Sequence, residues 1–165
     1  MKHTALHVIV AISLIGASLA TPAADAPGAA PVQYPAGYRQ WQHVKSMVIE
    51  PGHALYASFG GIHHLYANPA AVQGYGDGRF PDGSVIAFDL LAVTPGGNAI
   101  VEGPRKVLGV MLKDSRRFAA TGGWGFEAWD AGDPAKPVVG SNAATACFAC
   151  HASEKASDYV FSRLR

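Results

Sequence analysis

Read by its apolar and polar positions, the chain divides into three unequal parts. A basic start, Met1-Lys2-His3, leads into a mostly apolar run over residues 5–20. Small residues at Ser18 and Ala20, and again at Ala24 and Ala26, offer A-x-A-like cleavage sites, which is the layout of a secretory signal peptide. The run falls short of the roughly 20 apolar residues a membrane span needs. Residues 1–20 are therefore expected to be a signal peptide, cleaved as late as 26, that delivers the chain to the periplasm. Residues 21–33 are rich in Ala and Pro without periodicity and read as a flexible tail. The remainder, 34–165, is long enough for one domain with a sizeable core.

Within that domain the apolar pattern changes period repeatedly. Residues 44–49 alternate loosely and stop at Pro51-Gly52, and 62–67 form a second strand candidate. Asn68-Pro69 then reads as an N-cap with proline at the first helical position, opening a short helix through Gln73. Phe80-Pro81-Asp82-Gly83 is a turn leading into 84–91 (SVIAFDLL), the clearest strand of the chain, and 106–113 (KVLGVMLK) is another. Asp114-Ser115 predicts the cap of a short helix containing Arg116, Arg117 and Phe118. Residues 124–129 alternate bulky and other side chains, and Asp133-Pro134 turns the chain away from them. A last helical stretch is expected near 150, with 158–164 closing the domain.

Composition sharpens this picture only in part. The 19 glycines and 11 prolines are scattered and cut the chain into short elements, which favours a β-rich domain over a helical bundle. Formal charge is +1 with no Lys/Arg cluster, so neither nucleic acid nor an acidic membrane surface is an implied partner.

The chemistry sits near the C-terminus, in Cys147-Phe148-Ala149-Cys150-His151. C-x-x-C-H is the attachment sequence for c-type haem: two thiols add to the porphyrin vinyl groups and the adjoining histidine becomes the axial ligand. These are the only two cysteines in the chain. A redox disulfide would be expected after a strand in a βαβ pattern, and a zinc site would need further ligands downstream; neither context is present. One covalent haem c held by Cys147 and Cys150, with His151 on the iron, is the expectation. The second ring nitrogen of His151 should donate to a carbonyl or carboxylate, Asp158 and Glu154 being candidates.

With strand-like sequence before a C-terminal haem motif, neither a class I cytochrome c nor a helical cytochrome c′ fits. The chain resembles the cytochrome P-460 family, which includes the cytochromes c′-β. The resemblance is carried by Tyr38-Arg39-Gln40-Trp41, Leu65-Tyr66-Ala67-Asn68-Pro69, Phe80-Pro81-Asp82-Gly83-Ser84-Val85, the segments 110–118 and 123–126, the haem motif, and Asp158-Tyr159-Val160-Phe161. It implies an antiparallel β-sheet domain with short peripheral helices, a C-terminal haem-attachment helix, one pentacoordinate haem and a homodimer.

The same resemblance divides the chemistry. In P-460 enzymes, which oxidise hydroxylamine, a lysine on the strand after the F-x-D-G turn is cross-linked to the porphyrin; in cytochromes c′-β it is missing and small gases bind. Phe88 occupies that position here, with Lys45 the nearest replacement by strand type. The enzymes also use a carboxylate shortly before the haem motif, where residues 140–144 hold no acid; Asn142 there can hydrogen-bond a ligand but cannot serve as a carboxylate base. Ile86 shares a strand face with Phe88, and Phe59 is a candidate to complete an apolar cap. Of His63 and His64 only one can point inward, making His63 a candidate distal residue, whether on the iron, on a ligand or hydrogen-bonded to backbone. The first expectation is thus a periplasmic monohaem cytochrome binding NO or CO. A hydroxylamine- or NO-oxidising enzyme is the alternative, and an electron carrier with Met47 or Met111 as sixth ligand, and a periplasmic redox partner, is the third.

Overall fold

The computed structural model describes residues 31–164. The signal-peptide pattern and most of the Ala/Pro tail lie outside the described residues. Five strands, β1 (Gln42–Ile49), β2 (Gly61–Ala67), β3 (Val85–Gly96), β4 (Ala99–Lys113) and β5 (Trp124–Asp130), form one antiparallel sheet in the order of the chain. Two short helices, α1 (Tyr56–Phe59) and α2 (Pro69–Asp77), flank it. The expectation of a mainly β, antiparallel domain with peripheral helices holds.

Strand register sorts the side chains into two faces. On one, Ala67, Ile86, Met111 and Phe126 stand in a row, and beside it Lys45, Leu65, Phe88, Gly109 and Ala128 form the next. Val44 joins this face through a bulge between His43 and Lys45. The core here comprises Val44, Ala67, Ala71, Phe80, Ile86, Trp124, Phe126 and Val160, so α2 and the C-terminal segment are its cover. The other face packs Tyr38, Ala87, Leu108, Val110, Phe118 and Trp129 beneath the segment leading to β1. Val32 is buried there, two residues ahead of Tyr34, where the sequence places the start of the fold. Completely buried leucines such as Leu90 and Leu108 contribute about 2 kcal/mol each through the area they remove from water.

The second face also buries a charge. The Asp89 side chain, 0% exposed, accepts hydrogen bonds from the Tyr38 hydroxyl at 2.5 Å, from Arg39 Nη2 at 3.0 Å and from Arg105 Nε at 2.5 Å. Burial alone would raise its pKa, but the bonds from Arg105, Tyr38 and Arg39 win and hold it below the ordinary carboxylate range.

Four elements depart from the expected limits. Helix α2 starts as expected, with Asn68 Oδ1 accepting from the Ala71 N–H at 2.9 Å and Pro69 following the cap, but runs on to Asp77. Gly74, which reads as a breaker, is inside the helix because the Phe80 ring occupies the space a Cβ would take. β3 and β4 extend past residues 91 and 106 into a long hairpin whose tip, Gly97-Asn98, has φ of 56° and 60°, the geometry of a type I′ turn. The short helix at 116–118 is not formed. Asp114 Oδ1 does accept from the N–H groups of Arg116 and Arg117, at 3.2 and 3.0 Å, yet the segment closes as a turn before a 3-10 turn at Ala119–Thr121. Lys113 pairs with Trp124 across the sheet, so the connection must return to its starting point, and it does so through turns.

Candidate functional site

The Cys/His motif lies on a helical segment that changes pitch three times. A 3-10 turn at Gly140–Asn142 leads to a π turn at Ala144–Phe148, a single α turn at Ala149–His151 and a 3-10 stretch at Ala152–Ser157. Alanines at 143, 144, 146, 149 and 152 favour helix, and π turns recur at functional sites. Glu127, buried on β5, fastens the start of the segment: Oε1 accepts from the Val139 N–H at 2.8 Å and Oε2 from the Gly140 N–H at 3.2 Å. Both thiols are free, with Cys147 half-buried and Cys150 exposed. Burial, aided by the Glu127 carboxylate, pushes the Cys147 pKa up.

His151 is held by a carbonyl rather than by either acidic candidate. Its Nδ1 lies 2.8 Å from Tyr159 O, and since a carbonyl only accepts, Nδ1 carries the hydrogen. Burial lowers the pKa of the ring against the opposing pull of that hydrogen bond and of Glu154. The neutral form therefore leaves the Nε2 lone pair uncommitted. Phe126 and Phe161 flank the ring, with centroids 5.1 and 5.0 Å away. The Asp158 carboxylate turns elsewhere, with Oδ1 2.7 Å from Lys113 Nζ and Oδ2 accepting from the Phe80 N–H at 2.9 Å.

The remaining candidates divide between the sheet and the surface. Phe88 stands on the same face as Ile86, Leu65 and Met111, with Phe59 meeting it edge-on at 5.8 Å. Glycine at 109, the cross-strand partner of Phe88, keeps the neighbouring position in that row open; a Cβ there would meet Phe88 at 3.7 Å. His63 is on this face, its ring 4.8 Å from that of Phe88 and its Nδ1 buried without a partner among the described residues, so the expected backbone bond is not made at that atom there. Burial first, then the Lys45 and His64 charges, push its pKa down to about 4. His64 faces the opposite way, where Nδ1 is 2.6 Å from Ser46 Oγ and Nε2 approaches Glu102 Oε1 at 2.8 Å without hydrogen-bond alignment. Met47 is 38% exposed, whereas Met111 packs on the core. Asn142 is exposed on its 3-10 turn, its carbonyl accepting from Thr145 Oγ1 at 3.2 Å.

The low His63 pKa has a consequence for stability. The unfolded ring takes up a proton near its ordinary value of about 6.5 and the folded ring does not. Stability is therefore complete above that value and falls as pH drops toward 4, by about 3 kcal/mol. His63→Phe should flatten this limb in denaturation curves taken across the range; an unchanged slope would assign the loss to other groups.

Two residues of the site carry no sequence signal of their own. Glu127 looks like any strand carboxylate, and the Tyr159 carbonyl belongs to the backbone. Taken together, the donor set fits a haem: an imidazole with Nδ1 tied down and Nε2 uncommitted, two free thiols beside it, and rows of apolar side chains on the sheet that packs against them. Cys147, Cys150 and His151 would hold the group, and an iron porphyrin bound there would supply a metal able to take a further ligand.

A search of the curated proteins found no match. The family model described as Cytochrome P460 matches residues 35–162, nearly the whole described domain. That span takes in the sheet, the Phe80–Val85 turn and the Cys/His segment alike, and the chain belongs to the Cytochrome P460 family, whose members carry haem.

Proposed function

We propose that the protein is a periplasmic monohaem c-type cytochrome that binds a small neutral gas, NO or CO, at the iron position opposite His151. Cys147 and Cys150 make the two thioether links, and the 1–20 pattern accounts for export to the compartment where such links are made. The observation that carries the reading is Phe88: the position that bears an amine in the hydroxylamine-oxidising relatives holds an aromatic ring, capped edge-on by Phe59 and flanked by Ile86 and Leu65.

The chain's own residues divide the work simply. His151 presents a neutral Nε2, made more basic by the Nδ1–H bond to Tyr159 O. Phe59, Ile86 and Phe88 withhold hydrogen bonds and so disfavour water and anions, while leaving a neutral diatomic unpenalised. His63, neutral at physiological pH, packs on Phe88 as another ring.

Ferric, ferrous and ferrous-CO spectra test this reading. A high-spin spectrum with CO taken up on reduction is expected; a low-spin spectrum in both oxidation states with CO excluded would make the protein an electron carrier. Phe88→Ala should admit the gas roughly tenfold faster, equivalent to about 1.4 kcal/mol off the entry barrier. Unchanged ligand kinetics would remove Phe88 from the path.

Oxidation of hydroxylamine is favoured by one observation. Lys45 is half-buried in the same cross-strand row as Phe88, two strands away, with no hydrogen-bond or ion-pair partner among the described residues. A strongly red-shifted Soret band together with a haem–lysine adduct in the intact mass would establish that reading instead.

A further inference from the structure

The chain makes two consecutive left-handed turns with residues that are not glycine. Asp158 has φ of 51° and Tyr159 of 66°. Side chains other than glycine, asparagine and aspartate avoid this region, and such strain persists only where the surroundings over-determine it. Here the determinants all converge on Asp158. Its Oδ1 takes Lys113 Nζ at 2.7 Å and its Oδ2 takes the Phe80 N–H at 2.9 Å. Its own carbonyl accepts from the Trp124 indole N–H at 2.8 Å. Lys113 is itself fixed, donating to Gly122 O at 3.1 Å and lying 5.0 Å above the Trp124 ring, with only 10% of its side chain exposed. Gly122 lacks the Cβ that the Tyr159 ring would strike, so the next residue is seated as well.

We propose that Asp158 is a positioning residue for the proximal histidine, gripped by Lys113, Phe80 and Trp124 so that the carbonyl of Tyr159 is aimed at the Nδ1–H of His151. The bend at 158–159 brings that carbonyl back to within 2.8 Å of a ring eight residues earlier in the chain. A backbone acceptor has no rotamer to adjust, so its aim depends on the torsions the clamp imposes. The strength of the bond sets how much electron density His151 passes to a metal on Nε2, which makes the clamp a tuning device built from β4, β5 and the Phe80 turn. The inference rests on the haem reading above, and its test separates the two.

The holoprotein, Asp158→Asn and Lys113→Met are made in a maturation-competent host and weighed intact before any other measurement. Asparagine keeps the acceptor for the Phe80 N–H and tolerates the left-handed conformation, so that variant loses chiefly its hold on Lys113. In the ferrous proteins both variants should move the iron–histidine stretching band to lower wavenumber. Both should also lose His151 from the iron under NO about tenfold faster, the low end of what outer-shell changes cost. If Asp158 acted through space as a charge, Asp158→Asn and Lys113→Met would shift the band in opposite directions, because one removes a negative and the other a positive charge. Opposite shifts, or a band unmoved in both haem-loaded variants, would overturn the positioning role. A wild-type mass without haem would overturn the cofactor assignment itself, and this inference with it.

Discussion

Cys147→Ser/Cys150→Ser is expected to emerge from a host with working cytochrome c maturation weighing only what its amino acids weigh, while the wild type carries the added mass of one haem. The chain has no other thiol, so nothing takes over the links. Each single variant should retain one thioether, and the haem with it in reduced yield. His151→Ala separates attachment from ligation, since its mass should keep the haem while the spectrum loses the contribution of the proximal nitrogen. A double variant that still carried haem through denaturing chromatography would show that the motif does not make the bond.

Asp89→Asn should cost about 3 kcal/mol of stability, the lower end for breaking one side of a buried ion pair. The lower end applies because Arg39 is 53% exposed and can turn to water, whereas Arg105, at 25%, is more confined. For a domain of this size that is a fall in Tm of roughly 10 °C. The pH dependence has a definite sign. The carboxyl is held below its ordinary value, so its contribution is complete at neutral pH and is lost as pH falls below about 4 and through the folded value. Asp89→Asn should therefore be less stable at neutral pH and should show a shallower loss on acidification. The Tyr38 hydroxyl, whose pKa is pushed up to about 12 by burial and then by its bond to Asp89, stays protonated throughout. Equal stability of variant and wild type at neutral pH would mean that desolvation cancels the whole network.

Which parts of this were legible in the sequence follows from how each residue is used. Strand β3 was plain because both its faces are covered, Ile86, half-buried Phe88 and Leu90 pointing one way and Ala87, Asp89 and Leu91 the other. The start of β4 was not, because residues 99–102 are all exposed and carry no alternation to read. The N-cap of α2 was visible in Asn68-Pro69. Its length was hidden by Gly74, a glycine retained for a neighbouring ring rather than for a turn. The same limit applies at the site. Cys147, Cys150 and His151 announce themselves through spacing, and the shared face of Ile86 and Phe88 follows from strand period alone. The partner of His151 does not, because a carbonyl looks alike at every position. The natural acidic candidate, Asp158, is used one step back, against a lysine 45 residues earlier in the chain.

A sheet in which each strand pairs with its sequence neighbour has a kinetic consequence. Closing short loops in succession costs little chain entropy, so β1 to β5 can assemble locally and early. The stretch after residue 139 is then expected to dock last, onto strands already paired. On the proposed covalent attachment, the enzymes that solder porphyrin to sulfur would meet their target on a loose end of a half-finished molecule, and closing that end over the sheet would be the final act of its biogenesis.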